Sequence, residues 1–411
     1  MQHHFSIDRR GLLIASFGAL GSLALSRAAR AQGAEAPPAH PHRDPGLNLV
    51  LVQLSGGNDG LSMVVPWADD AYNKARTSTR IGAGEVLKLD DYRGLHPELK
   101  GLRSAWDAGA LAIVEGCSYP KPNRSHFQSY EIWHTASMRG RDAGDGWIGR
   151  LCAETWPTGA VPELVVHVGA NAPYSLHSTR HPAVILQNPN AYKWISDEAP
   201  DRSLYRDSGG KERPADSDAL RRLRGILDDA TASSLRVRKA VLEHSTKAGY
   251  AEDDFSQSLR VAGALLGKRT GTRVVSVELG GFDTHTNQRT AHDARMRILD
   301  AGLKALRQDL AESGADKHTV VLVFSEFGRR VQENGSRGTD HGVAAPMLVL
   351  GAPVSGGLHG KHPSLTQLSD GDLAMTTDFR SVYAALAEGC FGASGSRVLG
   401  AQYPQLGLLK A

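Results

Sequence analysis

The chain has 411 residues, with 47 Lys+Arg against 44 Asp+Glu. Arg9, Arg10, Arg27 and Arg30 against Asp8 carry the whole excess, so the chain from residue 32 onward is formally neutral, which argues against a nucleic-acid partner. Cys117, Cys152 and Cys390 are far apart and show no metal-type spacing, so they allow one disulfide at most and no disulfide framework.

The first predicted element is an export signal. Ser6 to Leu13 sets the pair Arg9-Arg10 ahead of an apolar stretch, Leu12 to Leu25, and Ala29-Arg30-Ala31 supplies a small-x-small cleavage site. No acidic residue falls between Arg10 and Gly33, and the apolar stretch is too short to span a bilayer comfortably. The expectation is a cleaved twin-arginine signal over residues 1–31. It implies passage through the twin-arginine (Tat) translocase, a periplasmic or secreted location, and no stable membrane anchor. Residues 32–46, rich in Pro, Ala and His, read as a flexible linker.

Residues 47–411 then alternate strand and helix signals. Leu47–Leu54, Leu111–Val114, Leu164–Val168, Arg273–Leu279, Thr319–Phe324 and Pro346–Leu350 are short apolar runs, each closed by Gly or polar residues. Continuous rather than alternating apolar runs are the mark of strands covered on both faces. Between them, Met296, Leu299, Leu303, Leu306 and Leu310 recur at helical steps, and Thr290 with Asp293 predicts a capping box for that helix. Asp378 predicts the N-cap of a second helix carrying Phe379, Val382 and Leu386. The alternation predicts an α/β fold: a mostly parallel sheet with helices on both faces. Residues 216–268 break the rhythm with two charged helical stretches, Ser217–Asp229 and Ser233–Glu243, and read as an inserted helical cap.

Ligands of open α/β sheets bind beyond the carboxyl ends of the strands, and the polar residues predicted there form a pattern. The first strand leads to Asn58 and Asp59. Arg124, Ser125 and His126 open a helix with Phe127, Tyr130 and Trp133. Later strands lead to Asp283 and His285, to Glu326, and to a loop with Asp340 and His341. Carboxylates and imidazoles converging from several strands suit a divalent metal, and a hydroxyl at a helix N-terminus suits nucleophilic attack or anion binding. Each residue also has a plain reading. Asp59 caps a Gly-rich turn, Ser125 is a helix N-cap, Glu326 pairs with Arg329 or Arg330, and His126 packs beside the ligands.

The stretches LSGGNDGLSMVVP, NRSHFQSYEIWHT, LGGFDTHTNQ, FSEFGR, GTDHGVAAPMLVLG and TDFRSVYAAL resemble a family of Tat-exported bacterial proteins of unknown function. That family is placed in the alkaline phosphatase and sulfatase-like superfamily, and the resemblance runs over residues 47–405. It implies an alkaline-phosphatase-like fold and metal ligands at Asp59, Asp283, His285, Glu326 and His341. It places the nucleophile at Ser125; beside it, Arg124 is expected to hold a substrate oxygen, and Asn58, His126 and Asp340 are expected to stand behind the ligands. The sequence departs from the superfamily pattern at Phe327, where a ligand histidine is expected, and in the Asp283-x-His285 spacing. Cys117-Ser118-Tyr119-Pro120 also lacks the Cys-x-Pro-x-Arg arrangement of sulfatases. The function so implied is metal-dependent hydrolysis of a phosphate or sulfate ester, on an anionic small molecule or polysaccharide, with Zn, Mn, Mg or Ca as cofactor. The alternative is a non-catalytic protein binding a ligand or partner through the same cleft.

Overall fold

A computed structural model describes residues 46–158, 160–187, 192 and 217–410. The predicted signal over 1–31 and nearly all of the linker lie outside the described residues. In chain order the strands are β1 (Asn48–Leu54), β2 (Val64–Val65), β3 (Leu87–Lys88), β4 (Gly94–Leu95), β5 (Leu111–Ser118), β6 (Val165–Val168), β7 (Val184–Leu186), β8 (Val274–Leu279), β9 (Thr319–Phe324), β10 (Ala345–Leu350), β11 (Gly357–His359) and β12 (Thr377–Asp378). The main helices are α1 (Lys100–Asp107), α2 (His126–Thr135), α3 (Trp147–Thr155), α4 (Asp218–Leu242), α5 (Asp254–Gly267), α6 (Gln288–Ser313) and α7 (Phe379–Phe391).

The large sheet runs β11-β5-β10-β9-β1-β8-β6-β7, with β12 also paired to β5. Every pairing is parallel except those of β10 with β5 and β9. The apolar runs are continuous because each strand feeds two cores. Leu49 and Leu51 of β1 face α2, α3 and α7, whereas Val50, Val52 and Leu54 face α1, α5 and α6. The small sheet β2-β4-β3 stands apart.

Three local expectations are corrected. The two charged stretches of the 216–268 segment are one helix, α4, capped by the Ser217 side chain. The segment is not a cap: Phe255, Leu259, Ala262 and Leu265 of α5 are buried in the core beneath the sheet. Thr290 and Asp293 form no capping box, since α6 begins earlier, after Asn287. Carbonyls of Ser336 and Arg337 take the amides of Asn287 and Gln288 there, and Asp293 bonds His96 instead. The three cysteines are buried, and no disulfide joins them. No helix among the described residues is long and apolar enough to cross a membrane.

Candidate metal centre

The register sets the site. β1 pairs in parallel with β8 on one side and β9 on the other, with Leu54 level with Leu279 and Gln53 level with Phe324. Their carboxyl ends therefore deliver residues 55–59, 280–285 and 325–329 side by side. β10 runs the opposite way, so the loop that enters it brings His341 to the same edge; Gly328 and Arg330 pair with Gly342, Val343 and Asp340. The close packing needs glycine at two points. A Cβ on Gly56, at φ +114°, would stand 2.5 Å from the Asp283 nitrogen, and one on Gly57, at φ +68°, 2.2 Å from the Phe327 ring.

His126, Asp283 and His341 each bring a ligand atom within 4.8 Å of the others. Nε2 of His285 joins them, 3.0 Å from Asp283 Oδ1 and 3.0 Å from Nε2 of His341, which is itself 3.0 Å from Asp283 Oδ1. The opposite side of each donor is held. His126 Nδ1 donates to Glu326 at 2.7 Å, His285 Nδ1 to Asp340 at 3.2 Å, and His341 Nδ1 to the Arg124 carbonyl at 2.8 Å. These acceptors hold a hydrogen on each Nδ1, so each ring turns its Nε2 inward. Nε2 of His126 is buried and has no hydrogen-bond partner. An orphaned imidazole nitrogen beside two more lone pairs and a carboxylate about 3 Å apart fits one cation, because neighbouring ligands of an ion bound at ~2.0–2.1 Å are spaced that way. Imidazole-rich donors match zinc-like metals better than Mg or Ca.

The roles differ from the expected ones. Glu326 is buried, and its oxygens are taken by His126, the Gly56 amide and the Ser325 hydroxyl. It accepts from His126, which was expected behind the ligands and whose Nε2 faces Asp283 and His341. Asp59 stands apart: fully buried, it accepts from Arg76 at 2.6 and 3.1 Å, from Ser62 at 2.7 Å and from Gln288 at 2.5 Å. Asn58 is buried beside it, bonded to His292. Asp340 supports His285 rather than its neighbour His341. Arg124 gives Nε and Nη2 to Asp370 and Asp372. Ser125 is the N-cap residue of α2, yet its side chain makes no capping bond; the Asn123 side chain instead accepts from the Ser125 amide at 2.6 Å. Phe327 is buried, its ring 4.8 Å from those of both His126 and His341, an apolar wall where a second imidazole was expected.

Sequence reasoning missed Arg329 as an organiser. Its buried guanidinium donates to carbonyls of Gly56, Gly57, Phe282 and Thr339 and to Asp283 Oδ1 at 2.7 Å, joining the loops after β1 and β8 to the one before β10. Nothing in the sequence marks it beyond its place in the FSEFGR run. Burial raises the Asp283 carboxyl, but the hydrogen bond and the charge of Arg329 work against it, and the group is held well below the usual carboxylate range. Burial likewise raises Glu326, and the His126 bond turns the balance downward; the same bond raises His126.

A mostly parallel α/β sheet with a histidine–carboxylate cluster at its carboxyl edge defines the class: an α/β protein with a strand-end metal-type centre. A family model described as "Protein of unknown function (DUF1501)" matches residues 113–395, and the chain belongs to that family. Solved structures similar to this chain include the PsFucS1 sulfatase from Pseudoalteromonas sp., 10% identical over 94% of this chain and 72% of that one, with a TM-score of 0.36. The C-terminal periplasmic domain of EcEptC from Escherichia coli, in complex with Zn, is 11% identical over 77% and 76%, with a TM-score of 0.35. The alkaline phosphatase from the Antarctic bacterium TAB5 is 11% identical over 76% and 94%, with a TM-score of 0.29. No curated protein matches the chain.

Proposed function

We propose that this protein is a metal-dependent hydrolase of phosphate or sulfate esters that works with one divalent ion of the zinc type. The single observation that carries the reading is the unpartnered, buried Nε2 of His126, aimed at the cluster that Asp283, His285 and His341 complete. Such an ion, when bound, polarises an ester oxygen and lowers the pKa of an attacking hydroxyl or water. The chain's own residues do the rest. Glu326, Asp340 and the Arg124 carbonyl keep three imidazoles turned inward, and Arg329 holds Asp283 ionised. Ser125 stands at the N-terminus of α2 with its hydroxyl uncommitted to capping, next to the residue whose carbonyl fixes His341. The free amides of that helix end favour an anionic group. Phosphate and sulfate esters are the substrate class implied by the motif resemblance.

Metal analysis of protein purified without chelator, followed by turnover on a panel of aryl phosphate and aryl sulfate esters, tests the reading. The expected result is about one zinc-type ion per chain and turnover that chelator abolishes and zinc restores. Wild-type protein carrying no stoichiometric metal after growth in metal-replete medium refutes it. Metal without turnover on the panel favours the ligand-binding alternative. Export through the twin-arginine translocase belongs to the same proposal: Arg9→Lys with Arg10→Lys should retain the precursor in the cytoplasm, as fractionation would read. Normal periplasmic levels of that double variant overturn the export reading.

A further inference from the structure

Asp59 and Thr284, the residue inside the Asp283-x-His285 spacing, meet at one side chain: Gln288, the first residue of α6. Nε2 of Gln288 donates to Asp59 Oδ2 at 2.5 Å. Paired with Arg76, Asp59 is a carboxylate and only accepts, so the amide nitrogen must face it and the amide oxygen turns the other way. There Oε1 of Gln288 accepts from two hydroxyls, that of Thr339 at 2.6 Å and that of Thr284 at 3.0 Å, the nearer of the acceptors of Thr284. Gln288, Thr284 and Thr339 are all buried. Thr284 lies between Asp283 and His285, and Thr339 precedes Asp340, which supports His285, and His341. The backbone joins the same pieces. The Thr339 amide donates to the Thr284 carbonyl at 3.2 Å, and the Gln288 amide to the Arg337 carbonyl at 2.9 Å.

We infer that Gln288 is a positioning residue of the metal centre. With its nitrogen anchored on Asp59, it gathers the Thr284 and Thr339 hydroxyls on its oxygen and so sets the loop of Asp283 and His285 against the loop of His341. The inference rests on the metal reading of the site. Arg329 ties these loops through the Phe282 and Thr339 carbonyls and Asp283, and Gln288 ties them through their side chains. One tie fixes a separation, and a second also fixes the rotation about it. Packing alone does not call for this arrangement. Valine has the outline of threonine without the hydroxyl, and burying an amide with two hydroxyls costs desolvation that only a complete set of hydrogen bonds offsets. Ligands spaced for one small ion tolerate displacements of only about 0.5 Å, and a bonded amide holds two loops to that precision better than apolar contact does.

The test compares full-length wild type, Gln288→Met, Thr339→Val and Thr339→Ser. Zinc affinity is read by competition against a chromogenic chelator, and ligand geometry by the visible spectrum of the cobalt-substituted proteins, both well below the melting temperature. Melting in excess chelator is measured alongside. Gln288→Met keeps an unbranched side chain of similar length and removes both bonding groups. Zinc affinity should fall about 10-fold or more and the cobalt bands should shift, with metal-free melting lowered as well. Thr339→Val should move affinity and spectrum in the same direction and by less, whereas Thr339→Ser keeps the hydroxyl and should stay close to wild type. Lowered melting in Gln288→Met and Thr339→Val with the zinc affinity and cobalt spectrum of wild type overturns this inference and leaves the metal reading intact, because the amide then only braces the fold. Equal shifts in Thr339→Val and Thr339→Ser overturn it too, since the hydroxyl is then not what holds the loop. If Gln288→Met does not fold, the two Thr339 variants decide by the same readings. Failure of wild type itself to bind zinc or cobalt is the separate result that removes the metal reading.

Discussion

Ser125 shows how a single residue separates a structural role from a chemical one. A capping serine changed to alanine costs typically about 1 kcal/mol, because one helix amide loses its acceptor. Here the Ser125 side chain makes no capping bond, and the turn before α2 is closed by Asn123. Ser125→Ala should therefore leave urea stability within about 0.5 kcal/mol of wild type, the range of substitutions away from caps and core. If its oxygen is the attacking group, the same change should lower ester turnover by orders of magnitude while metal content stays constant. Denaturation curves and turnover on one preparation read both quantities. Full turnover in Ser125→Ala would assign the attack to water. At Asn123 the expectation is the reverse: Asn123→Ala should carry the stability cost that the sequence would have assigned to the serine.

At the scale of elements, the turn after β1 is pinned to the loop after β9 by one buried ion pair. Arg76 gives both ends of its guanidinium to Asp59 and also donates to the carbonyls of Val331, at 2.6 Å, and Arg330, at 2.8 Å. Both side chains are fully buried, so removing one leaves the other charged in a low-dielectric interior. Arg76→Met should cost about 3–5 kcal/mol in chemical denaturation, while the folded fraction retains its metal. Loss of metal with little loss of stability would return Asp59 to the ligand set. The strands and their order of use at the site were legible, because runs such as TVVLVF are too short for helices and too apolar for an exposed face. The antiparallel course of β10 was not legible. Strand direction follows from how a loop crosses the sheet edge, and the loop from Gly328 to Val343 folds back through backbone bonds that any residues could make. The bond between Glu326 and His126 was hidden for a similar reason. A carboxylate and an imidazole at strand and helix ends look alike as ligands until their mutual bond shows which one faces inward.

For the whole molecule, the balance of buried imidazoles decides how stability responds to acid. His134, His167 and His292 sit in three different parts of the structure, and burial lowers each from 6.5 to about 4. In the unfolded chain these rings bind protons as the pH falls through about 6.5, whereas in the folded protein they stay neutral until about 4. Between those limits the unfolded state holds more protons, so stability falls with falling pH, by on the order of 1–2 kcal/mol per ring near pH 5. The ion-paired carboxylates Asp59 and Asp283 do not offset this, because their contribution is complete above their unfolded value of 3.8 and fades only below it. His126 has the opposite sign: its pKa is raised, so its contribution grows as the pH falls toward 6.5 and then levels off, offsetting part of the drop from pH 7. Urea denaturation of metal-free protein at pH 7 and pH 5 should therefore show a clear loss of stability at the lower value. His167, on β6 opposite Ser276 of β8 and 3.4 Å from its hydroxyl, offers the variant that isolates one ring. His167→Gln removes a titrating group without touching the centre, so the drop from pH 7 to pH 5 should shrink by roughly a third. A drop of unchanged size in that variant, or a wild type equally stable at both pH values, would show that these rings are protonated in the folded protein and that burial does not keep them neutral.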